Sequence, residues 1–489
     1  MLERSEANET ESLRALTRAV TTVCADVLRL PDVGPDDDIN DLCTDMRTAL
    51  GVVTLLNQWL GTSLTVGRLF RERTPARLAL ALRRSGVSAP PAATGSATAT
   101  TAGAGDGGAP RAEADFWRDF WDTTYRFSSP ALDDEFNTAG WLDKRTLAAL
   151  PEAPMREWVD ATVARLRALP GDRVLDVGCG TGLILFALAP ERSRYVGVDF
   201  SAEAVGRVRA RVATSPRHAG TEVLRAAAHE AAAAVGGEFD LIVLNSVVQY
   251  FPDADHLTRV LASLAGLLAP GGAIFVGDVR NADLHGALHA SLVAADAPDD
   301  ARAARVHRAV ERSMTLDNSL LLGPRRLTRI VRDLWPGAGC RVQVRRGVHP
   351  TEMNRFRYDA LVVPEGPPAA PEPERLPWAG PHRTGPVAAA LAAALRRGPA
   401  DLVVRDVPDE RSFGAARLAA ALATAPEGET MGELRRRLVP VAELDPEHAW
   451  RLGHAHGYGA AVAPGAHPGH VDLAFRRGRD DAAAAALLD

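Results

Sequence analysis

A glycine-rich segment and a carboxylate downstream of it are the part of this sequence best suited to chemistry. Residues 176–182 read DVGCGTG, with glycine at every second position from the third onward. Only glycine lets a backbone approach a ligand closely without a clash from a Cβ atom. Asp199 lies 23 positions after the first residue of this segment, directly after the apolar run YVGV. A carboxylate at the end of a second strand accepts hydrogen bonds from both hydroxyls of a ribose.

The spacing of these residues favours one nucleotide ligand. GxGxG directly after an acidic residue is typical of proteins that bind S-adenosylmethionine, and the amides of the following helix can meet the carboxylate of that ligand. Two alternatives stay open: an NAD site, or glycines that only tighten a turn, with Asp199 as a helix cap. The predicted cofactor-binding residues are Asp176, Gly178, Cys179, Gly180, Thr181, Gly182, Asp199, Phe200, Ser201, His229, Glu230, Asn245 and Tyr125.

The elements that must position this site alternate between strands and helices. Apolar runs predict strands at 173–177, 194–198, 222–225, 239–244, 273–277, 341–346 and 357–363. An aromatic-rich stretch (113–168) and a later one (282–335) are predicted to be helical. Such alternation indicates a doubly wound sheet with ligands at the carboxyl ends of its strands.

Methyl transfer is an in-line displacement, so the acceptor must sit near this edge of the sheet, at about 3–3.5 Å from the methyl carbon. An amine acceptor must also lose a proton, which a nearby base or water would take. The candidate catalytic residues at this edge are Asn245, Gln249, Tyr250, Asp278, His289 and Glu352.

Each candidate also has a purely structural interpretation. Tyr250 could be packing, and His289 could be a solvated helical histidine. Arg280 and Arg355 could form ion pairs with Asp278 and Glu352. Trp121 and Tyr125 could close over the cofactor as a lid or build a core.

Composition sets the broad class of the protein. The chain has 489 residues, 46% of them hydrophobic, and a net charge of -6, which argues against a nucleic-acid partner. The four cysteines are far apart, so the usual zinc spacings are absent and no metal site is predicted. The polar N-terminus is unlike a signal peptide, and there is no apolar run long enough to span a membrane. We expect a cytoplasmic protein with no membrane partner.

One segment marks a domain boundary. Residues 87–112 are almost entirely Ala, Gly, Thr, Ser and Pro, a composition typical of a flexible linker. Before it, 1–86 is predicted to be helical, at 11–30, 46–60 and 75–84. After it, 113–364 forms the α/β core. Residues 365–489 form an α/β extension, with helices at 387–397, 414–424 and 447–456 and strands at 401–405 and 471–475.

Several motifs of this core occur in the order of a known family. They are DTTYRFSSPALDDEFNTAGW (122–141), MREWVDATVARL (155–166), RVLDVGCGTGLILFALAPERSRYVGVDFSAEAV (173–205), LNSVVQYFPD (244–253), PGGAIFVGDVR (270–280) and TEMNRFRYDALVV (351–363). With these motifs, residues 113–476 resemble the methyltransferase domains of nonribosomal peptide synthetases, most of which N-methylate a carrier-bound aminoacyl group. The segment after Trp141 departs from the family pattern, which puts the acceptor in doubt more than the cofactor.

The N-terminal module resembles a peptidyl carrier domain. The stretches VLRLPDVGPDDDINDL and TSLTVGRLFRERTPARLALAL fit that pattern. Where the carrier signature has the serine that takes phosphopantetheine, however, this chain has Met46, which has no hydroxyl. The resemblance therefore implies a degenerate carrier-like module that docks to partner proteins or is a relic.

Together these resemblances imply a class I, Rossmann-like methyltransferase fold with a seven-stranded, mostly parallel sheet. The implied function is S-adenosylmethionine-dependent methylation of an amino group on an amino acid or a carrier-bound aminoacyl or peptidyl intermediate, in trans, with S-adenosylhomocysteine as product. Alternatives are C-, S- or O-methylation, cyclisation of S-adenosylmethionine, or a non-catalytic scaffold. The expected partners are nonribosomal peptide synthetase modules of antibiotic biosynthesis.

Overall fold

The computed structural model describes most of the chain, in two compact units. The described residues are 2–28, 30–43, 46–60, 62, 64, 66–87, 117–118, 121–122, 124–125, 135–145, 149–317, 319–364, 374–376, 387–438 and 443–488. All of the predicted linker 87–112 except Val87 lies outside them. The smaller unit comprises 1–127, 140–149 and 315–318, and the larger one the remaining residues.

The smaller unit contains a bundle of helices. These are α1 (Leu2–Leu28), α2 (Ile39–Leu42), α3 (Met46–Leu60), α4 (Val66–Glu72) and α5 (Pro75–Arg84). The first packs against α3 and α5 through side chains at helical spacing, including the fully buried Leu16 and Val20. At the start of α5 the Thr74 side chain accepts a hydrogen bond from the Arg77 amide, and Pro75 occupies the first turn. The three helices predicted in this module are confirmed.

The larger unit is built on a seven-stranded sheet. Its strands are β1 (Arg173–Val177), β2 (Arg194–Asp199), β3 (Thr221–Arg225), β4 (Phe239–Asn245), β5 (Leu268–Arg280), β6 (Gly339–Val344) and β7 (Arg357–Val363). The strand order is β3-β2-β1-β4-β5-β7-β6. Only β7 runs antiparallel to its neighbours, so the predicted mostly parallel sheet is confirmed.

Helices accompany the strands of this sheet. They are α6 (Glu152–Arg167), α7 (Leu183–Leu188), α8 (Ala202–Thr214), α9 (Ala231–Ala234), α10 (Ala254–Ala265), α11 (His285–Ala294), α12 (Ala303–Leu316), α13 (Pro324–Leu334) and α14 (Glu352–Phe356). The central strands read as apolar runs because both of their faces are buried. Leu175 and Val177 of β1, for example, are fully buried in the main core.

A second, four-stranded sheet forms the C-terminal part of the larger unit. Its strands are β8 (Glu374–Leu376), β9 (Asp401–Pro408), β10 (Tyr458–Pro464) and β11 (His470–Arg477), in the order β10-β11-β9-β8. Its helices are α15 (Val387–Arg396), α16 (Phe413–Ala423), α17 (Met431–Arg437), α18 (Pro446–Ala455) and α19 (Asp481–Ala485). The α/β character predicted after residue 365 is confirmed, although β8, β10 and α17 were not predicted.

One sequence expectation about the elements was wrong. The stretch 113–168 is not helical throughout, because 135–145 is irregular and Leu142 forms an isolated bridge with Ala149. The fifth strand contains the predicted 273–277 but is longer, because it has 13 residues and begins at Leu268. Among the described residues, no helix is long and apolar enough to cross a membrane.

Candidate functional site

The turn between β1 and α7 has a backbone that only glycine can adopt. Gly178, Gly180 and Gly182 have φ values of +80°, +53° and +88°, in the left-handed region that disfavours other residues. A Cβ on Gly178 would lie 2.3 Å from a methyl carbon of Val247, and one on Gly182 would lie 2.6 Å from the Phe186 ring. The turn is therefore packed from both sides.

Asp199 ties the end of β2 to this glycine turn. Its Oδ2 accepts a hydrogen bond from the Gly180 amide at 2.8 Å, and its Oδ1 accepts one from the Ser201 amide at 2.9 Å. The N-cap of α8 is Ser201, whose hydroxyl accepts from the Ala204 amide at 3.1 Å. The alternative in which Asp199 caps this helix is therefore wrong. A carboxylate at the end of this second strand is suited to the hydroxyls of a ribose, and ribose binding by Asp199 stays a prediction.

The carboxyl group that precedes the glycines is buried beneath the turn. Asp176 is 2% exposed and accepts a hydrogen bond from the Tyr195 hydroxyl at 3.0 Å. Burial raises the pKa of Asp176 to about 7. Burial also raises the pKa of the Cys179 thiol well above its usual value, so that thiol is not a nucleophile at neutral pH.

A segment that sequence reasoning missed lies against the turn. The Thr181 hydroxyl donates a hydrogen bond to the Asn137 carbonyl oxygen at 2.7 Å. The Asn137 side chain in turn accepts from the Ala139 amide at 3.0 Å. The predicted helix over this stretch hid the contact, because a helical carbonyl would already have been paired.

The predicted cofactor-binding residues Phe200, His229 and Glu230 lie beyond β2 and β3. The Phe200 carbonyl accepts from Arg225 Nε at 3.3 Å. His229 and Glu230 are both exposed, and the Glu230 carboxylate accepts from the Ala227 amide at 3.0 Å. This contact shapes the turn after β3, and cofactor binding there stays a prediction.

Two buried side-chain oxygens lie at the end of β4. Asn245 and Gln249 are 7% and 5% exposed. Within the described part of the chain, Asn245 Oδ1 and Gln249 Oε1 have no hydrogen-bond partner. The amide nitrogen of Gln249 is engaged, since it donates to the Ser246 carbonyl at 3.0 Å. A buried unpaired acceptor costs about 1–3 kcal/mol, so these two oxygens point to a ligand with N–H or O–H donors.

Tyr250 follows them in the same short turn. Burial raises the pKa of its phenol to about 12. The hydroxyl therefore stays protonated at neutral pH and cannot act as a base there.

Asp278 is the centre of a buried ion-pair network. Its carboxylate receives hydrogen bonds from the Ser246 hydroxyl, from Trp158 Nε1 at 3.3 Å and from Arg357 Nη1 at 2.6 Å. Arg345 lies 3.4 Å from the same group. The residue is fully buried and has a φ of +59°, a strained backbone for a non-glycine residue.

The network continues into the edge strands. Arg357 also donates to Glu352 at 2.5 Å, and Arg345 donates to Asp359 at 2.6 Å. Arg357 thus makes the ion pairs that the sequence suggested for Arg280 and Arg355, so that assignment was wrong. The Nε of Arg355 donates instead to the Arg411 carbonyl at 2.8 Å.

His289 belongs to a separate group on α11. It is fully buried, with Nδ1 2.6 Å from the Ser313 hydroxyl and its ring 4.4 Å from that of His285. The alternative of a solvated histidine is therefore wrong. In the smaller unit, Tyr125 is 7% exposed and stacks on Trp121 at 5.2 Å. The two aromatic rings pack together there, and the lid role stays a prediction.

Known families match two parts of the chain. Residues 175–274 match the family described as "Methyltransferase domain", and residues 18–82 match "Phosphopantetheine attachment site". The first match covers β1 to β5 with the glycine turn. The second covers the helices of the smaller unit, where Met46 begins α3.

Relatives with curated descriptions are large synthetases. Chondramide synthase cmdD of Chondromyces crocatus is 33% identical over 75% of this chain and 9% of its own length. The probable non-canonical nonribosomal peptide synthetase CymA of Salinispora arenicola is 35% identical over 50% of the chain and 3% of its own length. This chain therefore spans only a small part of these relatives.

The sheet order with its antiparallel seventh strand, the glycine turn and Asp199 agree with the first family match. The chain contains a methyltransferase domain of the class I, S-adenosylmethionine-dependent fold, preceded by a degenerate member of the phosphopantetheine-attachment family, and its relatives are nonribosomal peptide synthetases.

Proposed function

We propose that this protein transfers a methyl group from S-adenosylmethionine to an amino group of a carrier-bound aminoacyl or peptidyl intermediate. The observation that carries the choice of nitrogen is the pair of unpaired carbonyl oxygens of Asn245 and Gln249, both buried at the end of β4. An amine presents two or more N–H donors, enough for both oxygens. A hydroxyl or thiol acceptor has a single donor, and a carbon acceptor has none.

The residues around the glycine turn fit the cofactor. Asp199 ends β2 and contacts the Gly180 amide, a place where a carboxylate can bind ribose hydroxyls. The turn leaves no room for side chains at Gly178 and Gly182. The ligand can approach the backbone of 178–182 closely. This backbone and the first amides of α7 would hold the methionine part of S-adenosylmethionine. When bound, S-adenosylmethionine supplies an electrophilic methyl group on a sulfonium. The remaining work of the chain is to bring the acceptor nitrogen into line.

The amine must be neutral when it reacts, since an ammonium has no lone pair. Tyr250, with a pKa of about 12, cannot remove the proton near neutral pH. Asp278 is held by Arg357 and Ser246, an arrangement suited to fixing the turn after β4. We therefore propose that the amine loses its proton to water, with Asn245 and Gln249 orienting the remaining N–H groups. Asp278, Glu352 and His289 are positioning candidates in this account.

The partners follow from the two domains and the relatives. A carrier-like module without the modifiable serine cannot itself hold the substrate, so the acceptor would arrive on another carrier domain, in trans. The proposed division is a carrier-like module (1–86), a linker (87–112), the methyltransferase core (113–364) and an extension (365–489).

One incubation tests the proposal. The full chain is mixed with methyl-labelled S-adenosylmethionine and either free amino acids or an aminoacyl carrier protein, and the products are analysed by mass spectrometry. Gain of one methyl group on the amine of the carrier-bound substrate is the expected result. Methylation at oxygen, sulfur or carbon, or release of methylthioadenosine without methylation, would overturn the choice of nitrogen. Failure to bind S-adenosylmethionine would leave only a scaffold role.

A further inference from the structure

A cationic cavity lies between the two sheets of the larger unit. Its volume is about 540 Å³, within the range of small-molecule sites. One wall is the segment that follows β5, with Asn281 and Leu284. The opposite wall is the turn between β10 and β11, with Gly465 and His470. The C-terminal extension therefore completes a cavity that the methyltransferase core alone would leave open.

Three arginines of α13 line this cavity. Arg325, Arg326 and Arg329 are exposed and lie on adjoining turns of one helix face, because residues three and four apart are neighbours. None of the three forms an ion pair with any residue that the structure describes. The helix they occupy begins at Pro324, its N-cap residue Gly323 provides no side-chain cap, and a helix N-terminus also favours negative charge.

The acidic residues of the cavity do not neutralise this charge. Asp409 is buried and is held by the Ser412 hydroxyl at 2.5 Å and the Arg411 amide at 3.0 Å. Asp283 is exposed and stands near Gly323. With three exposed arginines and one exposed carboxylate, the lining of the cavity has a net positive charge.

One residue links the cavity to the ion-pair network around Asp278. Arg357 lines the cavity and donates to Asp278 at 2.6 Å. Asp278 in turn receives the hydroxyl of Ser246, the residue between Asn245 and the turn that holds Gln249. The cavity therefore shares Arg357 with the ion-pair network that holds Ser246, the residue next to Asn245 in the chain.

We propose that this cavity binds the phosphate group of the acceptor, as carried on a pantetheinyl arm; this rests on the proposed function. One arginine guanidinium can donate two parallel hydrogen bonds to the oxygens of a phosphate. The tether of a carrier-bound substrate bears a phosphate at one end and the thioester at the other. Two sources share this chemistry: the arm of a carrier protein, or a free phosphopantetheine thioester.

The first test is binding, measured by calorimetry with 4′-phosphopantetheine and with pantetheine, which lacks the phosphate. The phosphorylated compound should bind at least about tenfold more tightly, and added salt should reduce the difference. R329E should abolish the preference, whereas R332E, an exposed arginine of the same helix outside the cavity, should keep it. Equal binding of the two compounds, or an unchanged preference in R329E, would overturn the site.

The second test separates this site from the proposed function. KM is measured for an aminoacyl carrier protein and for a free aminoacyl phosphopantetheine thioester. The R329E change should raise KM by about tenfold for whichever of these two substrates binds its phosphate in the cavity. An unchanged KM with normal methylation for both sources would refute the site alone. Phosphate-dependent binding without any amine methylation would instead refute the proposed function and leave the site standing.

Discussion

Asn245 and Gln249 are the two side chains on which the choice of acceptor depends. Asn245 ends strand β4 and Gln249 follows it, and both present a buried carbonyl oxygen without a partner in the described residues. Their position could be predicted from sequence, because polar residues at the end of a parallel strand face the ligand edge. Their unpaired state could not, since it depends on which distant donors fail to reach them.

We expect Q249A to lower kcat/KM for the amine acceptor by roughly tenfold, the cost of one hydrogen bond to a polar ligand. The dissociation constant for S-adenosylmethionine should stay within about twofold. Steady-state kinetics and equilibrium binding give the two values. Q343A, which removes a half-buried glutamine of β6, is the matched control. A Q249A enzyme as active as the wild type would argue against acceptor binding at this residue.

The pKa of Asp176 predicts a pH dependence of stability. Its value is raised from 3.8 to about 7, so the folded state holds a proton that the unfolded chain releases between these values. As the pH rises through this window the fold should lose on the order of 4 kcal/mol at this group. D176N should remove that loss, so its melting temperature relative to the wild type should rise from pH 4.5 to pH 7.5 or so. A constant difference across this range would show that Asp176 ionises normally.

At the scale of the element, short buried strands, including the strand before the glycine turn, were the most predictable part of the molecule. Strands β1 and β7 have the predicted bounds, because short apolar runs beside glycine and charged residues mark a buried strand clearly. Strand β10, with the sequence YGAAVAP, was not predicted, since its small residues, one glycine and one proline are typical of a loop. It forms through pairing with β11 over its full length, which is a long-range effect.

We expect G178A to abolish measurable binding of S-adenosylmethionine. The added methyl group would lie 2.3 Å from Val247, at a φ of +80°, so the turn must move. Calorimetric titration measures the binding, and the melting temperature reports on folding. The control is G206A, because a Cβ at Gly206 in helix α8 meets nothing within 4 Å. Equal binding by G178A and the wild type would contradict the assignment of this turn.

The buried network around Arg357 is an element-scale feature that the sequence concealed. R357Q should destabilise the protein by about 3–5 kcal/mol, because it removes the cation that pairs with the buried Asp278 and the partly buried Glu352. R156Q breaks an exposed pair with Glu152 and should cost less than about 1 kcal/mol. Urea unfolding curves compare the two. Similar losses for both variants would show that Arg357 does not hold the edge strands together.

At the scale of the whole molecule, the chain combines a carrier-like module with a methyltransferase domain and a C-terminal sheet. The order of the domains was predicted from motifs, since the linker composition separates them. The contribution of residues 401–477 to a cavity beside β5 was not predicted, because nothing local in the turn 464–471 indicates which arginines it faces.

The smaller unit matches the phosphopantetheine-attachment family, but the sequence has Met46 at the position of the serine that takes the prosthetic group. Incubation of the full chain with coenzyme A and a phosphopantetheinyl transferase should leave residues 1–86 unmodified, as Met46 has no hydroxyl. Intact-mass spectrometry measures this, with an active carrier protein as the positive control. A mass gain on this module would contradict the trans arrangement, since the chain could then carry its own substrate.

The most direct test of the whole account is methyl transfer to an aminoacyl carrier protein compared with the same free amino acid. The pH dependence of the rate adds to this test, because the amine must be neutral: the rate should rise up to the pKa of a free α-amino group, about 7.7–8.0. We predict one methyl group on the amine of the carrier-bound substrate, at a kcat/KM well above that of the free amino acid. Methylation of another atom, or equal use of free and carrier-bound amino acids, would contradict the account.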